Sequence, residues 1–334
     1  MSRPHTIQNL EDEQIGAVEA GGYATISVAG SGCAADVVYC IPKVIIHKAI
    51  AEELDVSILR KEVLAIKIDG SKLLSGGYSS KPFMQKEADL LRHIHDHVPN
   101  DLRSIFPSLI DTCSLDSKCM WYALEAIYPP LRLSTLHLTS DGTQTPSMMM
   151  HLFLEIGAAI NFLHNDAKLV HNDIHGGNIL VTIQPRNQYG LPGFKIVDFG
   201  QTKMLTNEFQ RRRDNKAFFI ELYLFAKFKQ PDGGEDELIE GRQKWTEFNL
   251  HLQEARFSDN PPFDSFWKEN QRYARKIRSL VSERSVNRVN SNIQNALRLT
   301  GASDLDIDIK DCVENERKVK AMAEVKEDSL CLKG

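Results

Sequence analysis

No stretch of the 334-residue chain stays apolar for the length that a bilayer crossing needs, so no transmembrane helix is expected. The opening residues, MSRPHTIQNLEDEQ, lack the apolar centre of a secretory signal. The closing Cys-Leu-Lys-Gly lacks the aliphatic pair and the final residue of a prenylation box. Cysteine is sparse: the six, at 33, 40, 113, 119, 312 and 331, form no CxxC pair and no regular framework. They read as reduced thiols of a cytoplasmic or nuclear protein. Concentrated positive charge is missing too. Arg211, Arg212 and Arg213 are the only compact basic run, and the net charge is −5. Neither nucleic acid nor an anionic membrane is therefore an expected partner. No internal repeat is evident.

What is present is an ordinary globular composition, 42% hydrophobic and 25% charged, on a chain long enough for one large domain or two modest ones. Residues 1–18 are polar and acidic and read as a loose lead-in. Residues 19–128 alternate turns with the β-branched runs YATISVAG, ADVVYCI and VLAIKI. One helix interrupts them, KPFMQKEADLLRHIHDHV, with Phe83, Leu90, Leu91 and Ile94 at helical spacing. Residues 129–280 are mainly helical. There Thr145-Pro146 caps a helix whose Met149, Leu152, Ile156, Ala159 and Leu163 form one apolar stripe. Two short strands follow, NILVT and FKIVD, and then the helix DNKAFFIELYLFAKF, apolar nearly all round and so expected to be buried. Residues 281–334 read as a polar, weakly packed tail. The fold class is α+β, and two lobes joined near residues 125–131 would leave a cleft, a usual place for a ligand.

The chemistry begins with Gly30 and Gly32, small residues in a turn between two strands, where backbone N–H groups can approach phosphates. A plain hairpin reads the same way. The turn is no Walker loop, since no Gly-Lys-Ser/Thr follows, and no dinucleotide fingerprint, since a strand comes next. Lys67 stands in an apolar strand, where it must reach either solvent or an anion; Glu87 is the nearest candidate. Asp173, Asn178 and Asp198 sit in turns at strand ends, and such oxygen donors suit Mg²⁺. Asp173 would then be left to accept or orient a hydroxyl proton. His93, His95 and His97 fit the frayed end of a helix better than a metal site, since only 93 and 97 share a face.

The ordered set Gly30-x-Gly32-x-x-Ala35-x-Val37, Ala65-Ile66-Lys67, Glu87, His171-x-Asp173-x-x-x-x-Asn178 and Asp198-Phe199-Gly200 resembles the protein-kinase family over about residues 19–228. The resemblance implies a bilobal kinase-like fold, with a small β-rich N-lobe at 19–128 and a mainly helical C-lobe at 129–280. It implies ATP and Mg²⁺ as cofactors and Ser/Thr hydroxyls of a protein as acceptors. Lys67 would bind the α/β-phosphates and pair with Glu87; Asp173 would be the catalytic base; Asn178 and Asp198 would hold Mg²⁺. Backbone groups of Glu125 and Ile127 would meet the adenine edge, with Leu124 as gatekeeper and Val37, Ala65 and Leu180 around the ring.

Four departures matter. Ala35 replaces the third glycine, and an insertion of helical character precedes Ala65. Asp214 follows Asp198 by only sixteen residues with no Ala-Pro-Glu between them, so the activation segment is short. Asn172 replaces the arginine that would pair with a phosphorylated activation loop. His175 stands where Ser/Thr kinases carry a lysine, and Asp-Ile-His-Gly-Gly-Asn is similar to the loop of aminoglycoside and choline kinases. Kinases of small hydroxylated molecules and a non-catalytic scaffold on the same fold therefore remain alternatives.

Overall fold

The structure is a computed structural model that describes residues 12–32, 35–69, 81–113, 119–139, 145–183, 187–226, 242–259, 261–300 and 304–331. It is α+β, with an antiparallel sheet region followed by a largely helical part. The chain divides into two compact units: residues 1–88, 108–126 and 302–334 in the first, and 89–107 and 127–301 in the second.

The first unit opens with α1 (Asp12–Ala20), β1 (Tyr23–Ser31) and β2 (Ala35–Pro42). Helices α2 (Lys43–Glu52) and α3 (Val56–Leu59) fill the insertion, and β3 (Leu64–Asp69) follows. Helix α4 (Lys81–His97) runs from the first unit into the second, and β4 (Leu109–Thr112) and β5 (Trp121–Glu125) complete the sheet. The antiparallel strand order is β1-β2-β3-β5-β4. Side chains alternate across a strand, so register sorts the residues. Val38, Cys40, Ile66, Ile68, Trp121 and Ala123 turn to one face and pack with Val18 and Tyr23 into a core cluster. Val37 lies opposite Lys67, Lys67 opposite Tyr122, and Ala65 opposite Leu124, and these share the other face.

Two polar segments are better ordered than their composition suggests. Where a loose lead-in was expected over residues 1–18, residues from Asp12 onward form α1. Its Val18 joins the core, and its Gln14 side chain donates to the carbonyl of Asp69 at 2.7 Å. The expected tail at 281–334 is likewise built into both units. Helix Leu305–Cys331 packs against β1, α2 and α3, burying Leu305, Ile309 and Cys312, with Arg60 pairing Asp306. Residues 1–11 of the lead-in and 301–303 and 332–334 of the tail lie outside the described residues.

The second unit holds β6 (Leu131–Arg132), α5 (Leu133–Thr139), α6 (Pro146–Asn165), β7 (Leu169–Val170), β8 (Ile179–Thr182), β9 (Gly193–Ile196) and β10 (Lys203–Met204). Helices α7 (Glu208–Ala226), α8 (Arg242–Phe257), α9 (Phe263–Ser279) and α10 (Glu283–Thr300) follow. Thr145 caps α6 as its sequence requires, its hydroxyl accepting from the Met148 N–H at 3.2 Å, with Pro146 in the first turn. The expected α6 stripe of Met149, Leu152, Ile156, Ala159 and Leu163 is buried, but burial goes well beyond it, while α7 is less enclosed than expected. Helix α6 is buried almost all round, while α7 buries one face through Asp214, Asn215, Phe218, Phe219, Leu222 and Phe225. Phe153 of α6 explains this. Its ring meets Phe218 of α7, Phe248 of α8 and Trp267 of α9 with centroids 6.5, 5.5 and 4.9 Å away, so three helices wall α6 in. Helix α6 is also the one helix among the described residues long and apolar enough to cross a membrane, and its apolar stretch is mostly buried within the protein. Helix α10 buries Val289, Ile293 and Ala296 and packs against α5 and β6.

Candidate active site

The first unit holds the ion pair of Lys67 and Glu87. Lys67 is fixed in the middle of β3, and Glu87 lies on α4 in its buried stripe. The lysine Nζ sits 3.0 Å from Glu87 Oε1 and 2.9 Å from Oε2. The stripe runs through Met84, Glu87, Ala88, Leu91, Ile94 and Val98, so Glu87, Leu91 and Ile94 face inward as expected, whereas Leu90 is half-buried and Phe83 points to solvent. The side chains of Lys67 and Glu87 are 13% and 5% exposed, so removing one partner strands a charge that water cannot reach. We expect Lys67→Met alone to cost about 3–5 kcal/mol of stability, and Lys67→Met with Glu87→Leu to recover most of it. Urea midpoints of the four proteins of this cycle measure both. Additive losses in the double variant would contradict a coupled pair.

Gly30 pairs with Val37 across the β1–β2 hairpin, and the Gly32 N–H closes the turn on the carbonyl of Ala35 at 2.9 Å. Ala65 and Lys67 follow on the same face through β3. Glu125 ends β5, where its backbone N–H donates to the carbonyl of Ser108 at 3.0 Å and its carboxylate accepts the Ser108 N–H at 2.9 Å. Ile127 belongs to the second unit, and Leu180 lies in β8 opposite Lys195.

The second unit gathers Asp173, Asn178 and Asp198. β7 delivers the chain to His171, which is fully buried. Its Nδ1 accepts the Asp173 N–H at 3.3 Å, and its Nε2–H donates to the carbonyl of Val197 at 3.3 Å. Burial holds its pKa below the ordinary value, although Asp214, Asp198 and Asp173 pull the other way. His171 is thus a neutral strut between the two loops. Asn172 adopts a left-handed backbone with φ 65°, a conformation asparagine tolerates, and its amide donates to the carbonyl of Gln201 at 3.1 Å.

Asp173 is then steadied directly. Its Oδ2 accepts from Asn178 Nδ2 at 2.9 Å, and its carbonyl accepts from the same amide at 3.0 Å. His175 Nδ1 accepts the Gly177 N–H at 3.0 Å, which turns Nε2 toward Asp173 Oδ2, 3.7 Å away. Gly176 is closely confined, whereas a side chain at Gly177 would displace the exposed His175 ring. A Cβ on Gly176 would lie 2.8 Å from Glu221 Oε2 and 3.0 Å from the Ser134 nitrogen, and one on Gly177 would lie 2.7 Å from the His175 ring.

Asn178 and Asp198 become neighbours through the β8–β9 pairing, in which the Val197 N–H donates to the carbonyl of Asn178 at 2.9 Å. Asp198 itself is left-handed, φ 63°, and caps a 3₁₀ turn through the Gly200 N–H. Both Nδ2 contacts of Asn178 go to Asp173, so the amide oxygen remains to serve a cation. An amide oxygen beside a carboxylate fits Mg²⁺, which takes one or two protein oxygens and fills its octahedron with phosphates and water. Among the described residues no three histidine, cysteine or acidic side chains form a closed metal cage. The histidines of α4 also have other duties. His93, His95 and His97 donate to the carbonyls of Ala167, Pro107 and His93 at 3.2, 2.9 and 2.7 Å, which fastens that helix end instead of leaving it frayed.

Two contributors are not evident from local sequence. Asp214, at the middle of α7, accepts the backbone N–H groups of His171 and Asn172, both at 2.7 Å, and His164 Nε2 at 3.1 Å. Its signals in the sequence are its place at the opening of an apolar run and its spacing of sixteen residues from Asp198. Glu221, two turns on, reaches Gly176, and nothing in its local sequence marks it. No protein-family model matches the chain.

Proposed function

We propose that the protein is an ATP- and Mg²⁺-dependent phosphotransferase of kinase-like fold, acting on Ser/Thr hydroxyls of protein. The observation that carries the proposal is the steadied carboxylate of Asp173, held at 2.9 Å by the same asparagine that stands beside Asp198. In this reading Asp173 takes the proton of the acceptor hydroxyl as its oxygen bonds to the γ-phosphorus. The bond from that phosphorus to the β-bridging oxygen breaks, and ADP leaves. Lys67, oriented by Glu87, takes α/β-phosphate oxygens, and Asn178 with Asp198 would hold Mg²⁺, which supplies charge neutralisation on the phosphates when bound. Gly30, Gly32, Val37, Ala65, Leu180 and the backbone of Glu125 and Ile127 would contact the nucleotide.

A second reading, transfer to a small hydroxylated molecule, draws on the short stretch after Asp198. A 3₁₀ turn, the two residues of β10 and then α7 from Glu208 occupy it, with no separate peptide-docking loop. Labelled ATP and Mg²⁺ offered with Ser/Thr peptide arrays and with a metabolite panel divide the two readings. Label in peptides supports the first and label in metabolites alone the second. ATP binding with no transfer to any acceptor would point to a scaffold.

A further inference from the structure

Beside the catalytic turn the second unit holds a groove of about 530 Å³, bounded by α5, residues 175–177 and α7. Its lining is mainly apolar, through Leu133, Leu138, Leu224 and Phe225, and His137, His175 and Glu221 are the titratable residues along it. Of the side chains lining it, Glu221 alone carries an anionic group. Its carboxylate accepts the Gly176 N–H, and burial raises its pKa against the opposing pull of that N–H and of His175. Burial lowers the pKa of His137, which keeps it neutral at pH 7. A half-buried carboxylate with one backbone partner leaves acceptor capacity unused, and a cation entering the groove would relieve its desolvation.

The position of the groove gives this chemistry a use. Its wall includes His175, whose Nε2 lies 3.7 Å from Asp173 Oδ2. The backbone is pinned there as well: the Ser134 N–H at the start of α5 donates to the carbonyl of Gly176 at 2.9 Å. The groove thus begins one side chain away from the carboxylate that would take the acceptor's proton. We propose that it binds a positively charged group carried by the phosphate acceptor, with Glu221 as the counter-ion, so that this kinase selects cationic acceptors. The proposal rests on the phosphotransferase reading. The cation can come from a lysine or arginine near the accepted serine or threonine, or from the ammonium of a small amino alcohol.

The test has a transfer arm and a binding arm. In the first, wild type and Glu221→Gln receive labelled ATP, Mg²⁺ and matched acceptors: serine peptides carrying arginine or its neutral isostere citrulline, and amino alcohols or the corresponding diols. Glutamine keeps an oxygen for the Gly176 N–H and removes only the charge. Wild type should favour the cationic member in at least one arm by about tenfold or more in kcat/KM, and Glu221→Gln should erase the ratio. The arm that shows the ratio identifies the source of the cation. Leu224→Lys, which places a competing cation in the groove, should lower the ratio with Glu221 intact. In the binding arm, the arginine and citrulline peptides are titrated onto both proteins without ATP. Tighter binding of the arginine peptide to wild type, lost in Glu221→Gln, supports the groove even if no transfer occurs, and the phosphotransferase reading then fails alone. No cationic preference in either arm, or a preference that survives Glu221→Gln, overturns the proposal.

Discussion

Asp173→Asn should lower phosphoryl transfer by about 10²–10⁴-fold, the usual worth of a positioned general base. The substitution is gentle on structure. The Asp173 side chain is 43% exposed, and an asparagine carbonyl can still accept from Asn178 Nδ2. The urea midpoint should therefore move little, within about 0.5 kcal/mol. ATP affinity should also persist, because Asp173 is assigned to the acceptor's proton and not to the nucleotide. Transfer of label from ATP in the presence of Mg²⁺, run beside nucleotide titrations, separates the two quantities. Equal transfer by wild type and variant would remove Asp173 from the chemistry and with it the catalytic reading of the turn.

How much of this was legible beforehand depends on the range of the interactions. The 171–178 turn could be read because its working groups lie within eight residues, and the short strand after it delivers Asn178 beside Asp198. The Lys67–Glu87 pair needed one further inference, the phase of α4, which holds at Glu87, Leu91 and Ile94 and fails at the helix start, where Phe83 is exposed and Met84 is buried. A lone aromatic near a helix start pulls the apparent stripe toward itself, and only packing corrects it. The lead-in and the tail were misread for the opposite reason. Val18 in α1, and Leu305, Ile309 and Cys312 in the last helix, are few among many charges, yet i, i+4, i+7 spacing suffices when a sheet is waiting to be covered. Composition averages such stripes away. The α6 stripe could be read, but the burial of its other faces could not, because that depends on α8 and α9, which come much later in the chain. Glu221 was illegible for the same reason: its role follows from the residues that fold next to it.

Asp214 carries the largest expected effect on stability. It is almost fully buried, and its two oxygens receive three donors, the backbone N–H groups of His171 and Asn172 and the ring of His164. Two of those donors have no water to turn to, since His164 and His171 are themselves buried, and Asn172 is only partly exposed. Asp214→Ala leaves all three unmet, at roughly 1–3 kcal/mol for each buried polar group so abandoned, and the total should reach about 3–5 kcal/mol after relaxation. Asp214→Asn retains one accepting oxygen but turns an NH₂ toward a backbone N–H, so its loss should be smaller than that of alanine and still clear. Urea unfolding with an unchanged m value measures both. The same bonds hold the two peptides that lead into Asp173, which makes Asp214 a positioning residue. Transfer by Asp214→Asn should therefore fall mainly in kcat, with the KM for ATP little altered, because the base is displaced and not the nucleotide groups. A loss under about 1 kcal/mol in Asp214→Ala would mean that water reaches the three donors, and the rigid turn on which the assignment of Asp173 depends would lose its anchor.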